Sequence, residues 1–97
     1  MEVTGKNFKE FIKDGKVIID FWAPWCGPCR ALGRIIEGVC ERNNDKLGKV
    51  NVDEEDELAE LFKIQSIPFV VKFVDGKVVD SFLGLRGEKD VEEFVIK

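Results

Sequence analysis

The sequence predicts an α/β fold, a mixed β-sheet flanked by helices on both faces in the order β-α-β-α-β-α-β-β-α, over one domain spanning residues 1–97. Three observations carry this expectation. Residues 16–22, KVIIDFW, are a nearly continuous apolar run rich in β-branched side chains, the pattern of a strand covered on both faces. Leu32, Ile35, Ile36, Val39 and Cys40 recur with helical spacing, so residues from about 28 to 43 should form an amphipathic helix. Asp75-Gly76, between the apolar runs IPFVVKFV and KVVDSFL, is the two-residue signal of a tight antiparallel hairpin.

The remaining elements follow in order. MEVT reads as a short edge strand, and Phe8, Phe11 and Ile12 give NFKEFIKD a helical stripe before the central strand. NNDKLG ends the long helix and KVNVD is a short strand. EEDELAELFKI reads as a helix whose acidic first turn suits the positive end of the helix dipole, a better account of those charges than a metal site. After the hairpin and Gly84, GEKDVEEFVIK supplies a last helix with Val91, Phe94 and Val95 inward. Strands alternating with helices over the first six elements call for parallel pairing through right-handed crossovers, and the hairpin adds an antiparallel pair.

Composition narrows the function. The 15 Lys and Arg are scattered among 19 Asp and Glu for a net charge of −4, so no basic stripe is available for nucleic acid. No stretch approaches the ~20 apolar residues needed to span a bilayer, and the first residues lack a basic start followed by an apolar run. The expectation is a soluble chain of a reducing cytoplasm. Three cysteines and no histidine fit neither a disulfide-stapled secreted domain nor a four-ligand zinc site. Cys40 lies about 16 Å along the helix from Cys29 at ~1.5 Å per residue, and it reads as a buried small hydrophobe.

The chemistry concentrates in residues 20–30, DFWAPWCGPCR. Cys26 and Cys29 fall where the central strand ends and the long helix begins, the carboxyl edge at which open α/β sheets place functional groups. Pro28 fits the first helical turn, where its missing N–H is no loss. Cys26 then sits with unpaired backbone N–H groups directed at its sulfur. An ordinary thiol of pKa ~8.5 is only about 3% thiolate at pH 7, and reaching half ionisation takes about 2 kcal/mol. The helix dipole supplies ~0.3–1 kcal/mol, so hydrogen bonds from the Cys29 side must add the rest. A second sulfur one helical turn away turns a reactive thiol into a redox couple, with Gly27-Pro28 keeping that turn tight.

These residues resemble the active-site segment of the thioredoxin family almost letter for letter. The similarity continues through KVNVD, IQSIPF, the Asp75-Gly76 hairpin and Gly84, over essentially the whole chain. The resemblance implies a thioredoxin fold and a protein-disulfide reductase without a bound cofactor or metal. Its partners would be disulfide-containing proteins and a flavin-dependent reductase or equivalent electron donor, and a monomer is expected. It also implies a lowered thiol pKa, attack by Cys26 on a substrate disulfide, and resolution of the mixed disulfide by Cys29.

Asp20 shares one strand face with Ile18 and Trp22, so apolar neighbours enclose it and should raise its pKa. The family match makes it the base that takes the Cys29 proton, while a solvent-facing strand-end carboxylate is the alternative. Lys49 matches the lysine that accompanies this acid, although Lys49, Asn51 and Asp53 also read as the polar side of a half-exposed strand. Trp25, Gly27, Pro28, Ile67, Pro68 and Gly84 match the substrate surface, with Pro68 as a cis-proline and the Ile67 backbone offered to an extended segment. Trp22 matches the tryptophan packed behind the site, or is plain core. Two departures stand out: Gly33-Arg34 where the family commonly has a helix-kinking proline, and Phe69 in place of a small Thr. A disulfide oxidant or isomerase, and a binding module without turnover, are the competing functions.

Overall fold

The apolar run at 16–22 forms β1 (Lys16–Trp22) inside a four-stranded sheet, in a computed structural model that describes residues 1–97. The sheet order is β2-β1-β3-β4 with β2 Lys46–Asn51, β3 Phe69–Val74 and β4 Lys77–Leu83. β1 runs parallel to β2 and antiparallel to β3, and β3 and β4 form the hairpin. Asp75 and Gly76 both take positive φ at 51° and 83°, as the two central residues of a type I′ turn require.

Helices cover both faces. Val17, Ile19 and Phe21 point to α1 (Phe8–Ile12) and α3 (Asp56–Leu61), packing with Val3, Phe8, Phe11, Val50, Leu58, Val71 and Phe73. On the opposite face Ile18 packs with Val70 and Phe82 under α2 (Gly27–Arg42) and α4 (Glu88–Ile96). The side-chain alternation of one strand thus divides the core into two layers.

Three boundaries differ from expectation. MEVT is not a strand but a single parallel bridge between Glu2 and Lys49, held by Val3 N–H to Lys49 O and Lys49 N–H to Met1 O, both 2.8 Å. The turn that begins at Thr4 leaves too few residues for a ladder. The segment read as the end of the long helix already enters β2 at Lys46, because Asn44, at φ 58°, closes α2 sharply. There Asp45 N–H returns to Cys40 O at 2.8 Å in the pattern of a Schellman cap. α3 stops at Leu61 by the same device, with Lys63 at φ 53° and Ile64 N–H on Ala59 O at 2.8 Å.

Gly48 is in β2 for reasons of space. A Cβ there would lie 2.5 Å from both Phe11 Cε2 and Val3 Cγ2 and 3.0 Å from Ile19 Cδ1. Gly48→Ala is therefore expected to cost ~1–3 kcal/mol through overpacking, read as a lower urea midpoint, with catalytic turnover unchanged under folding conditions.

Candidate functional site

β1 delivers the chain to the sheet's carboxyl edge, and Ala23 to Trp25 turn it into α2. Cys26 is the N-cap of that helix, with extended backbone (φ −90°, ψ 108°), and Ala23 O accepts its N–H at 3.1 Å. Pro28 stands in the first turn. The backbone N–H of Cys29 donates to Cys26 Sγ at 3.2 Å, so one of the helix's unpaired donors is spent on sulfur. Cys26 and Cys29 are joined as a disulfide with Cα atoms 5.2 Å apart. Both are buried, while Gly27 and Pro28 between them are exposed.

Ala23 and the two cysteines form a small apolar cluster against which Trp22, Val52 and Ile67 pack. That contact brings the Ile67–Pro68 peptide, which is cis, to the cysteines from the start of β3. Pro68 O accepts the Gly84 N–H at 2.8 Å. Gly84 itself has φ 93°, and a Cβ there would meet nothing within 4 Å, so its backbone angle and not crowding requires glycine.

Trp25 is 69% exposed, and its indole Nε1 donates to Asp53 Oδ2 at 3.0 Å and Oδ1 at 3.3 Å. Asp53 follows β2 and is tied by its own N–H to Asn51 Oδ1 at 3.0 Å. Sequence reasoning did not single out Asp53. The only signal was that an indole N–H beside the cysteines needs an acceptor. Trp22 is half-buried behind the cluster, with its Nε1 buried and unpartnered.

Beneath α2 lies Asp20. It is fully buried, which overturns the solvent-facing alternative, and neither carboxylate oxygen has a hydrogen-bond partner. Burial pushes its carboxyl from 3.8 up to about 7, with Lys49 opposing the rise and Glu37 adding to it. Lys49 is opposite Asp20 in the β1–β2 register, but its ammonium bonds Glu37 Oε2 at 2.9 Å and forms no ion pair with Asp20. The same ammonium stands 5.3 Å from the Trp22 ring centre. Cys40 is buried in the α2/α4 layer, and burial, with Asp45 adding to it, pushes its thiol up to about 11. No group of three or more Cys, Asp or Glu side chains is clustered to hold a metal.

A family model described as Thioredoxin matches residues 1–97. The chain belongs to the thioredoxin family. It is 44% identical over 89 residues to a thioredoxin of Chlamydia caviae, covering 91% of this chain and 86% of that protein. It is 35% identical to the thioredoxin of Bacillus subtilis, covering 100% and 95%. A thioredoxin variant from Halobacterium salinarum superposes with a TM-score of 0.92 at 30% identity, covering 98% of this chain and 86% of that one. With its adjacent cysteine pair, the chain is a thiol–disulfide oxidoreductase.

Its two departures from the family pattern are accommodated without disturbing the site's elements. α2 continues unbroken through Gly33 and Arg34 to Arg42, with Gly33 buried and Arg34 exposed. Phe69 turns its half-buried ring toward the α1/α3 layer, where the Phe21 and Phe69 ring centres are 6.4 Å apart. The larger residue after Pro68 thus lends its ring to the core.

Proposed function

We propose that this thioredoxin-family chain reduces protein disulfides, with Cys26 as nucleophile and Cys29 as resolving thiol. The observation that carries the reading is the Cys26 sulfur at the first turn of α2, accepting the Cys29 N–H above a buried, unpartnered Asp20. In the reduced protein the Cys26 thiolate attacks one sulfur of a substrate disulfide, forming a mixed disulfide and expelling the other substrate sulfur as a thiolate that takes a proton. Cys29 then gives its proton to the Asp20 carboxylate and attacks Cys26. The Cys26–Cys29 bond forms, the bond to substrate breaks, and the second substrate sulfur leaves as a thiolate. Two electrons pass from the protein dithiol to the substrate.

Trp25, Gly27, Pro28, Ile67, Pro68 and Gly84 form the docking surface, and the Ile67 backbone accepts an extended substrate segment by strand addition. Lys49 tunes Asp20. A flavin-dependent reductase or equivalent donor restores the dithiol, and the chain works as a monomer in a reducing cytoplasm. No helix is long and apolar enough to cross a membrane.

Equilibration against glutathione buffers tests the direction of electron flow. A reductant is expected to remain oxidised in mixtures that convert an oxidase-type couple to dithiol. A couple that stays dithiol in oxidising glutathione would replace this reading with that of a disulfide oxidant.

A further inference from the structure

Asp20 is a buried carboxylate with a lysine within reach that binds something else. An ideal Cβ built on Gly33 lies 3.2 Å from Lys49 Nζ and 4.0 Å from Asp20 Oδ2, so both groups border the space that a side chain at 33 would fill. Lys49 nevertheless bonds Glu37, one turn further along α2 and exposed to solvent, while both oxygens of Asp20 go unpartnered.

The charged surroundings of Asp20 are few. Lys49 faces it from β2 and Glu37 from α2, with the disulfide-bonded Cys29 sulfur one turn before Gly33 and the Cys40 thiol further along the same helix. β3 sets Val70 opposite it, and Lys72 on the same strand spends its ammonium on Phe94 O at 2.7 Å. α4 contributes Val91, Phe94 and Val95, all apolar. Glu37 is thus the group that decides where the nearest cation rests.

We propose that Glu37 is a positioning residue acting through Lys49: it holds the ammonium at the rim of the space beside Gly33, off Asp20, and so leaves the Asp20 carboxylate unpaired and open to the Cys29 proton. The inference rests on the reading of Asp20 as the acceptor of the Cys29 proton. A lysine free to pair with Asp20 would hold it as a carboxylate and weaken it as a base. Gly33 contributes by having no Cβ, which leaves the ammonium an unobstructed place beside the acid.

The test is a ¹³C titration of the Asp20 carboxyl in the oxidised full chain, for the parent, Glu37→Gln, Glu37→Asp, Lys49→Met and the Glu37→Gln/Lys49→Met pair. Glu37→Gln is expected to lower the Asp20 midpoint by about one pH unit. Glu37→Asp should restore part of that shift, and Lys49→Met should raise the midpoint. In the Lys49→Met background, Glu37→Gln should shift it by less than half as much. An unmoved midpoint in Glu37→Gln, or an equal shift with and without Lys49, overturns the proposal. The resolution rate of the mixed disulfide in Asp20→Asn is read separately. An unchanged rate there removes Asp20 from the proton transfer whatever the titration gives.

Discussion

Cys26→Ser is expected to lower the reduction of a protein disulfide such as insulin to below about one-thousandth of the parent rate, while Cys29→Ser accumulates a covalent adduct with the substrate. A serine hydroxyl at 26 would still cap α2 and accept the Cys29 N–H, so the local fold survives. It has no thiolate to offer, and attack on the substrate stops. In Cys29→Ser the Cys26 sulfur keeps its place and attacks normally, but nothing stands one turn away to displace it. The adduct should appear as an added mass, reversible by dithiothreitol.

Stability does not explain either loss. A disulfide closing so short a loop contributes at most about 2 kcal/mol, and the working reductant lacks that bond in any case. Circular dichroism of the parent dithiol and both variants should coincide. Cys40 remains in both proteins and cannot substitute, because it is buried in the α2/α4 layer with its thiol pushed up to about 11. Full turnover in Cys26→Ser would reject the mechanism, and a Cys29→Ser protein that releases product without an adduct would reject the resolving role.

What could be read from the chain was what short-range pattern encodes. The continuous run at 16–22, the helical stripe from Leu32 to Cys40 and Asp75-Gly76 each declare their conformation within a few residues, and each forms as expected. Asp20 was legible as buried because apolar neighbours occupy both faces of its strand. The early end of α3 was not, since lysine seldom takes the left-handed conformation that Lys63 adopts, and nothing in EEDELAELFKI announces it.

Pairings between distant elements were equally hidden. Glu37 reads as an ordinary exposed helix residue until β2 brings Lys49 to it, and Asp53 as a strand-end acid until Trp25 turns toward it. Lys72 looks misplaced in FVVKFV. Its ammonium is buried because it reaches the Phe94 carbonyl at the end of α4, where Lys16 likewise bonds Val95 O at 2.7 Å. Two lysines thus satisfy the last carbonyls of a helix that begins more than ten residues after the strand carrying Lys72 ends.

Asp20→Asn is expected to make the protein more stable at pH 8 and almost unchanged at pH 4. In the unfolded chain this carboxyl ionises near 3.8, and in the folded protein at about 7. Between those values the unfolded state releases a proton that the folded state keeps, so each pH unit costs the folded state ~1.36 kcal/mol. The stability that goes with protonated Asp20 is whole below about pH 3.8 and gone once pH has risen through about 7. The full difference is about 4 kcal/mol, undiluted by solvent because the side chain is fully buried.

Asparagine has the same shape, no charge and no proton to lose, so it removes the pH-dependent part alone. Urea unfolding of both proteins at a series of pH values should give curves that meet near pH 4 and diverge to about 4 kcal/mol by pH 8, or more than about 10 °C in Tm. The other carboxylates titrate alike in both and cancel. The stabilisation should come with slower chemistry, since the same charge is the proposed acceptor of the Cys29 proton: resolution of a preformed mixed disulfide at pH 7 should fall by about 10²-fold. The parent's rise in rate through about pH 7 should be absent in the variant. A stability difference that stays constant with pH would mean that the carboxyl does not titrate in this range. A rate that keeps its inflection would hand the proton to another group.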